Sequence, residues 1–411
     1  MNILIINHYA GSDKYGMEFR PFYFGRELVK QGHAVTVIAA GYSHLRRKNP
    51  DVCADFTEEW IEGIRYVWMK TPPYRKNDLR RLLNMAAFLR KLKQYAPRIA
   101  AAYRPDAVVA SSTYPYDVRE ARRIADCCQN PCRVLYEIHD LWPLSLIELY
   151  HLSEKNPYIR SLQKAENSAY RLSDGVISIL PHADRHIHEL GFTDVPFYYV
   201  PNGVATDGKD EEAPAETPAA VARARAMGKC ILMYLGGLSK ANALDDLLEA
   251  APLMPFGIQL FLIGNGPLKA EIAKKVEREN LQNVTLLDAV PKPRVQGVLR
   301  LADALYIGAK RTPLYRYGVG MNKIYDYMLS GRPILYAVES SNNPVAEAGC
   351  GIRIAAEDPQ EIASAARMLL QMTEEERARL GENGRRYVRQ YHDYRVLAGQ
   401  FAAACAGEDT V

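Results

Sequence analysis

The sequence predicts an α/β protein with two domains, each built around a doubly wound parallel sheet. In both halves of the chain, short runs rich in Val and Ile alternate with helical patterns, which indicates buried parallel strands joined by helices. The 411 residues are too many for one compact core. A polar stretch rich in Asp, Glu, Ala and Pro, residues 206–218, has the composition of a linker between the halves.

The apolar runs give the expected elements in order. Strands are predicted at residues 2–7, 35–40, 107–110, 133–137 and 175–179, and then at 230–235, 259–263, 284–287, 304–307 and 333–337. A helix is predicted at 19–31, where Gly32 ends it. We expect one domain over 1–200 and another over 201–391, with a C-terminal helix at about 392–411 packed on the first. Their ligand crevices should face each other outside the carboxyl ends of the strands.

Composition and charge exclude several classes of protein. The net charge of +4 is too small to indicate binding to nucleic acid. The N-terminus has the pattern of a strand and not of a signal peptide, and no apolar run approaches the roughly 20 residues that span a bilayer. Seven mostly scattered cysteines indicate a reducing cytoplasm. Cys127, Cys128 and Cys132 lack a further ligand pair at zinc spacing, so no metal site is expected.

A glycine-punctuated loop precedes a short predicted helix in the second half. Gly318 and Gly320 allow close approach of the backbone to a ligand. Asn322 is expected to cap the helix, whose free N–H groups attract a phosphate, and Lys323 adds a point charge. Asp326, one turn later, can accept hydrogen bonds from sugar hydroxyls. The pattern is that of a nucleotide-diphosphate site, with an ordinary loop–helix junction as the alternative.

Three further loops follow successive strands of the second half. They combine small residues with polar groups: Gly236, Gly237 and Lys240, then Gly264 and Asn265, then Val290 and Pro291. Lys240 can reach a phosphate. The loop at Gly264 lacks the third glycine of a dinucleotide fingerprint, because Lys269 occupies its place, so we expect it to edge a nucleotide base. Backbone groups at Val290 and Pro291 could read a uracil edge. Plain turns are the alternative for each loop alone.

Two loops of the first half carry polar candidates. Gly16 and Met17 follow the first strand, and Arg20 lies on the next helical turn, where it could bind an anionic group or simply a surface carboxylate. His139 and Asp140 follow the strand at 133–137, before a Trp-Pro turn. A polar pair at the carboxyl end of a strand is placed for a cleft, so we favour a functional role for His139 over a structural one.

A basic helical segment at 75–98 is a candidate membrane-surface element. It contains a single acidic residue, Asp78, and many basic ones: Arg75, Lys76, Arg80, Arg81, Arg90, Lys91, Lys93 and Arg98. Its apolar residues recur at helical spacing: Leu79, Leu82, Met85, Ala86, Leu89 and Leu92. This combination is typical of a helix at an anionic membrane surface. A helix packed on the core with a solvated basic side is the competing interpretation.

These motifs together resemble glycosyltransferase family 4, whose members are retaining enzymes of GT-B fold with two facing Rossmann-like domains. The resemblance spans nearly the whole chain and is closest to L-fucosamine transferases of O-antigen and capsule assembly. In the first half it rests on the Gly16 loop, residues 32–38, Asp140-Leu141-Trp142-Pro143 and Pro201-Asn202-Gly203. In the second half it rests on residues 236–248, Gly264-Asn265-Gly266-Pro267, Asn322-Lys323 through Gly331-Arg332-Pro333, and residues 342–351.

The resemblance implies a nucleotide-sugar donor in the second domain, namely a UDP-sugar, with an N-acetylated deoxyhexosamine as a candidate sugar. Lys240 and Lys323 would hold the diphosphate, Asp326 would bind the ribose, and His139 would assist beside the donor sugar. Gly318 stands where many members carry a first glutamate, and Asn242 stands where a lysine is usual.

For the first domain, the resemblance implies a polyprenyl-diphosphate-linked glycan as acceptor. Arg20, Ser111 and Asp140 are expected to face it, and Gly16 and Met17 to face the donor. The protein would be cytoplasmic and held at the inner face of the bacterial plasma membrane.

The implied reaction needs no cofactor beyond the donor itself. No Asp-x-Asp metal motif is visible, so lysines and helix dipoles should stabilise the departing diphosphate. The family mechanism has the leaving phosphate help to deprotonate the acceptor. The alternatives are a UDP-sugar 2-epimerase and a catalytically silent nucleotide-sugar-binding subunit of a polysaccharide assembly. A dehydrogenase is disfavoured because neither domain's first strand is followed by GxGxxG.

Overall fold

The computed structural model describes residues 1–74, 79–208 and 210–409. The chain forms two compact units. The first contains Met1–Asn202, Tyr317–Gly320 and Tyr394–Val411, and the second contains Gly203–Arg316 and Met321–Asp393. The boundary predicted between residues 200 and 201 lies beside the one between Asn202 and Gly203.

The first unit is built on a mostly parallel sheet. Its strands are β1 (Asn2–Ile6), β2 (Ala34–Ala40), β3 (Thr57–Ile61), β4 (Ile64–Met69), β5 (Ala107–Ala110), β6 (Arg133–Ile138), β7 (Gly175–Ser178) and β8 (Phe197–Tyr199). Among the described residues, the strand order is β3-β4-β2-β1-β5-β6-β7-β8, with β3 antiparallel to β4. Its helices are α1 (Arg20–Lys30), α2 (Leu79–Tyr103), α3 (Val118–Asp126), α4 (Leu144–Tyr150), α5 (Pro157–Leu172) and α6 (Ala183–Glu189).

The second unit is built on a parallel sheet. Its strands are β9 (Cys230–Leu235), β10 (Ile258–Ile263), β11 (Val284–Leu287), β12 (Ala304–Gly308), β13 (Ile334–Ala337) and β14 (Gly351–Arg353), in the order β11-β10-β9-β12-β13-β14. Its helices are α7 (Glu216–Ala226), α8 (Leu244–Ala250), α9 (Lys269–Arg278), α10 (Val295–Leu299), α11 (Asn322–Ser330), α12 (Pro344–Glu347), α13 (Pro359–Gln371) and α14 (Glu374–Tyr391). The last helix, α15 (Tyr394–Ala406), belongs to the first unit.

Each core lies between its sheet and the helices that cover it. Every residue of β10 is buried, because helices pack on both faces of a parallel sheet. In the second unit, Leu232 and Leu260 of the sheet share a cluster with Leu247 of α8. In the first unit, α15 packs on α1, where the rings of Phe24 and Phe401 lie 5.2 Å apart between centroids.

Four strands are not predicted from the sequence: β3, β4, β8 and β14. The strand β3 alternates between half-buried and exposed residues and so lacks a continuous apolar run. It joins β4 through Glu62 and Gly63, both with positive φ, which is the geometry of a tight hairpin. The strands β8 and β14 have only three residues each. The helix α7 begins at Glu216, inside the stretch predicted to be a linker.

The basic segment is a helix that packs mainly on the core. Residues 75–78 lie outside the described part, so Arg75, Lys76 and Asp78 are not placed. From Met85 onward α2 buries an apolar stripe, and Lys91 pairs with Asp55 at 2.5 Å. The first turn differs, because Leu79 and Leu83 are 76% and 63% exposed. The competing interpretation therefore holds for most of the helix, and the membrane role stays a prediction.

Candidate active site

The loops after β9 and β10 in the second unit pack backbone against backbone. The amide of Gly236 donates to the carbonyl of Ile263 at 3.0 Å, and that of Leu238 donates to the carbonyl of Asn265 at 2.9 Å. A Cβ on Gly264 would overlap the Gly236 carbonyl, so this contact requires glycine there. The predicted loop residues Gly236, Gly264 and Asn265 are thus brought together at one end of the sheet.

The helix α11 begins at Asn322, which corrects one detail of the sequence analysis. The N-cap is Met321, in an extended conformation, and no side chain caps the helix. Asn322 is therefore the first helical residue, where its side chain cannot bond to the N–H groups that an N-cap satisfies. The start of α11, beside Lys323, thus has no side-chain cap among the described residues.

Lys323 is held by neutral groups. Its Nζ donates to Asn242 Oδ1 at 2.5 Å and to the Tyr234 hydroxyl at 3.1 Å, and it lies 4.8 Å from the centre of the Tyr234 ring. Across the described ranges no carboxylate lies within ion-pair distance of it. Burial lowers the pKa of Lys323 to about 8. Lys323 is thus a buried ammonium group beside a glycine loop, and the described part of the chain gives it no counter-charge.

The partners of Lys323 are themselves fixed by the loop after β9. Asn242 Nδ2 donates to the carbonyl of Gly237 and to Ser239 Oγ, both at 2.9 Å. The Tyr234 hydroxyl donates to the same Gly237 carbonyl at 2.7 Å. Asn242 thus orients Lys323, a role that the sequence analysis does not assign to it. Lys240 is exposed in the same loop, and no described residue forms a side-chain hydrogen bond or ion pair with it.

Asp326 is paired with a lysine that the sequence analysis does not single out. Lys292 Nζ lies 2.6 and 2.7 Å from the two carboxylate oxygens of Asp326. Lys292 directly follows Val290 and Pro291, so the pair joins the loop after β11 to α11. The carboxylate remains partly exposed, at 15% for the side chain. A ribose hydroxyl at this position would have to share Asp326 with Lys292.

In the first unit, polar residues gather at the carboxyl ends of β1, β5 and β6. Ser111 Oγ donates to Glu137 Oε2 at 2.5 Å and lies 3.1 Å from His139 Nε2. Asn7 Nδ2 donates to the carbonyl oxygen of Ser111 at 2.6 Å and to its hydroxyl at 3.2 Å. Ser111 and His139 are thus brought together as neighbours. Glu137, inside a buried strand, is the residue that joins them.

Arg20 is a partner of Glu137. The Arg20 Nε donates to Glu137 Oε1 at 2.9 Å, and both side chains are 3% exposed. The rest of the guanidinium donates to the carbonyls of Val200 and Pro201 and to Asn202 Oδ1. Its partner is a carboxylate, as one alternative expected, but a buried one and not one at the surface. This geometry does not support the predicted acceptor contact of Arg20, which stays a prediction.

Two further carboxyl groups, those of Asp117 and Asp140, interact electrostatically with His139. Burial raises the pKa of Asp140, whose Oδ1 accepts hydrogen bonds from the Leu141 amide and the Ser145 hydroxyl at the start of α4. Burial also raises the pKa of Asp117, to about 7, although the Ser112 amide donates to it at 3.1 Å. The Asp140 carboxylate is therefore occupied by groups at and just before the start of α4, and its contact with the acceptor substrate stays a prediction.

The loop that carries Gly16 and Met17 closes on itself. The amide of Gly16 donates to the carbonyl of Ser12 at 2.7 Å, and Gly16 has a φ of +95°, which favours glycine. Met17 is 50% exposed. The loop thus presents Met17 outward, and its donor contacts are untested.

An apolar pocket of about 400 Å³ lies beside the first turn of α2. Its lining is mostly aromatic and aliphatic: Leu79, Arg81, Leu82, Met85, Tyr114, Trp142 and Tyr158. Among the described residues, no helix is both long and apolar enough to cross a bilayer. Nor do three His, Cys, Asp or Glu side chains gather in that part of the chain to hold a metal ion, and catalysis without metal stays a prediction.

Solved glycosyltransferase structures resemble the chain over nearly its whole length. HepE of Anabaena in complex with UDP has 15% identity and a TM-score of 0.67, with 99% of this chain and 100% of HepE covered. Sucrose-phosphate synthase of Thermosynechococcus elongatus has 18% identity and a TM-score of 0.70, with 98% of each chain covered. WaaG, a glycosyltransferase involved in lipopolysaccharide biosynthesis, has 17% identity and a TM-score of 0.64, with 98% of this chain and 100% of WaaG covered. These similarities show the GT-B fold.

Two family profiles match the chain, one in each half. Glycosyltransferase Family 4 matches residues 16–207, and Glycosyl transferases group 1 matches residues 229–372. No curated protein matches the chain by sequence. The chain is therefore a glycosyltransferase of the family 4 type, which confirms the resemblance at the level of the family. The closer likeness to L-fucosamine transferases stays a prediction.

Proposed function

We propose that this protein transfers a sugar from a UDP-sugar to a lipid-linked glycan, with retention at the anomeric carbon, in the assembly of a cell-surface polysaccharide. The observation that carries the proposal is Lys323, a largely buried ammonium at the start of α11 that has no carboxylate partner among the described residues. Burying a cation is costly unless it is compensated. A bound diphosphate would supply the missing counter-charge.

The same arrangement fits the chemistry of glycosyl transfer. The bond between the anomeric carbon and the phosphate breaks while negative charge grows on the departing diphosphate. Lys323 and the uncapped N–H groups of α11 are fixed in place before that charge appears, which is the condition for electrostatic catalysis. Lys240, exposed in the neighbouring loop, can add a second charge. The departing phosphate would then help to deprotonate the acceptor on the same face, which gives retention.

Uridine is the proposed base for two reasons. HepE was crystallised in complex with UDP and with UDP-glucose. In this chain the loops at Gly264 and Asn265 and at Val290 and Pro291 offer backbone groups at the same sheet end. Lys292, which directly follows Val290 and Pro291, reaches Asp326, so Asp326 lies near the proposed base site. A ribose between the base and the diphosphate would therefore meet the Asp326 carboxylate.

The acceptor is proposed to be a polyprenyl-diphosphate-linked glycan. Exposed leucines at positions 79, 82 and 83 surround the start of α2, next to Arg80 and Arg81, and the apolar pocket lies beside them. Apolar side chains among basic ones suit an anionic membrane surface. WaaG, of similar fold, is involved in lipopolysaccharide biosynthesis. These features support the proposal that the protein works at the cytoplasmic face of the membrane.

A thermal-shift titration with UDP, GDP, ADP and NAD, without added metal, tests the donor class. We expect UDP alone to raise the Tm, and Lys323→Met to remove that rise. Lys229→Met is the matched control, since Lys229 precedes β9 at the opposite end of the sheet. A shift with another nucleotide only would refute the UDP assignment. A UDP shift that survives in Lys323→Met would refute the role of Lys323.

A further inference from the structure

The hydrogen bonds around Ser111 leave one arrangement of protons at His139. Burial opposes ionisation of Glu137, but the attraction of Arg20 and the contacts with His139 and Ser111 together outweigh it and hold the pKa of Glu137 below its usual range. An ionised carboxylate only accepts hydrogen bonds. Ser111 has one hydroxyl proton, and at 2.5 Å that proton goes to Glu137.

The remaining contacts of Ser111 Oγ must then be bonds that it accepts. Asn7 Nδ2 donates one of them at 3.2 Å, and its orientation is fixed because Asn7 Oδ1 accepts from the Tyr9 amide at 3.0 Å. His139 Nε2, at 3.1 Å, has to donate the other. A neutral His139 therefore carries its proton on Nε2 and a lone pair on Nδ1.

We propose that Glu137 is a positioning residue: through Ser111, and through its own oxygen Oε2 at 3.4 Å from His139 Nε2, it holds His139 as the Nε2–H tautomer, so that Nδ1 accepts a hydrogen bond from a hydroxyl of the bound sugar. Nδ1 has no hydrogen-bond partner among the described residues, and the imidazole is 11% exposed. The part of the proposal that concerns the sugar rests on the proposed function. The part that concerns the tautomer does not.

The proposal also explains why Arg20 and Glu137 form a buried ion pair. Arg20 helps to keep Glu137 ionised, and four hydrogen bonds hold the guanidinium in place. A buried ion pair is weak evidence for stability alone, because desolvation offsets its attraction. In the proposal the pair also holds Glu137 in place as the hydrogen-bond acceptor that orients His139, which is a role beyond folding.

The replacement Glu137→Gln makes a sharp test. Arg20 Nε still needs an acceptor, so the amide oxygen faces Arg20 and the amide N–H₂ faces Ser111. Ser111 Oγ then accepts from residue 137 and from Asn7, and it must donate its own proton to His139 Nε2. The proton of His139 therefore moves to Nδ1, and the tautomer inverts.

The measurement is a long-range ¹H–¹⁵N spectrum of histidine-labelled protein, at a pH where titration shows that the imidazole is neutral. Glu137, Asp117 and Asp140 are the titratable groups that interact with it electrostatically. His139→Gln assigns the signal. Glu166→Gln is the matched control, since Glu166 is a buried glutamate that contacts His186 instead.

We expect Nε2–H in the wild type and in Glu166→Gln, and Nδ1–H in Glu137→Gln. An Nδ1–H wild type overturns the proposal without any variant, should Glu137→Gln fail to fold. An Nε2–H signal in a folded Glu137→Gln overturns it too.

With one neutral hydrogen bond lost, turnover of a UDP-sugar should fall about tenfold in Glu137→Gln. An inverted tautomer with unchanged turnover overturns the sugar contact. An inverted tautomer with no turnover even in the wild type refutes the proposed function and leaves the tautomer relay standing.

Discussion

The replacement Lys323→Met should make the ligand-free protein more stable while abolishing its response to UDP. Methionine keeps the apolar stem of lysine and removes the charge. In the folded protein burial lowers the pKa of Lys323 from 10.5 to about 8, which means that the fold disfavours the ammonium form. Removing that charge removes the cost of holding it without a counter-ion.

The size of the effect follows from the pKa. The lowering from 10.5 to about 8 corresponds to roughly 3 kcal/mol, at about 1.4 kcal/mol for each pKa unit. Partial exposure of Lys323 reduces this figure, as does the loss of its hydrogen bonds to Asn242 and Tyr234, at about 1 kcal/mol each. We expect a net stabilisation of about 1 kcal/mol. For a unit of this size that raises the Tm by about 2–4 °C.

The pH dependence has a definite sign. The unfolded chain keeps Lys323 protonated up to about pH 10.5, whereas the folded protein releases the proton near pH 8. Between these values the unfolded state binds more protons, so this group makes the wild type more stable as pH rises. The advantage of Lys323→Met is therefore largest below pH 8 and shrinks above it.

Differential scanning calorimetry between pH 7 and pH 9.5 measures this difference, with Lys229→Met as the control. UDP is then added to each protein at pH 7. We predict a higher Tm for ligand-free Lys323→Met than for the wild type at pH 7, a smaller difference in Tm at higher pH, and no shift of the variant's Tm with UDP. A variant that is less stable at every pH, or a gap that does not change between pH 7 and pH 9.5, would refute it.

Three other replacements test separate parts of the account. Asp326→Asn should weaken uridine binding about tenfold in calorimetric titration, because a charged acceptor of the ribose is lost; equal affinity would contradict the ribose role. Arg20→Met should destabilise the first unit by about 3 kcal/mol in denaturant unfolding, since it leaves Glu137 buried without its partner; a loss below about 1 kcal/mol would contradict that. Leu83→Glu should reduce sedimentation with anionic vesicles several-fold, because it adds a negative charge to the exposed turn of α2; unchanged sedimentation would remove α2 from the membrane contact.

The parallel strands are predictable because they are buried on both faces. Their apolar runs are continuous, and the observed bounds of β9 (Cys230–Leu235) and β11 (Val284–Leu287) are those that the sequence predicts. The hairpin of β3 and β4 is not predicted because β3 is only half-buried, and the composition of β3 resembles that of a surface loop. Its clearest local signal is the tight turn at Glu62 and Gly63.

The site is predictable where one loop carries its chemistry and not where it depends on distant partners. Glycines directly after strands and a lysine at a helix start are visible in sequence, so the sequence alone singles out Gly236, Gly264 and Lys323 as candidates. The neighbours Asn242 and Lys292 become meaningful only when strand-end loops meet α11, across 81 and 34 residues of sequence. The periodic pattern of apolar residues in the sequence does not predict such contacts between distant loops and a helix.

Glu137 shows the same limit in the first unit. In sequence it is one polar residue in an apolar strand, next to the more conspicuous His139. Its importance rests on Arg20, which is 117 residues away, and on Ser111, which is 26 residues away. A buried charge within a strand is a signal that something must compensate it, but the sequence does not name the partner.

The central claim is that this chain uses a UDP-sugar through Lys323, and UDP release tests it most directly. Wild type, Lys323→Met and Lys229→Met would each be incubated with a panel of UDP-sugars without acceptor, and UDP would be quantified over time. The account predicts slow release from at least one donor by the wild type and the Lys229 control, and none above background by Lys323→Met. Equal release by all three proteins, or none from any donor by the wild type, would contradict it, and the second result would favour a silent nucleotide-sugar-binding subunit.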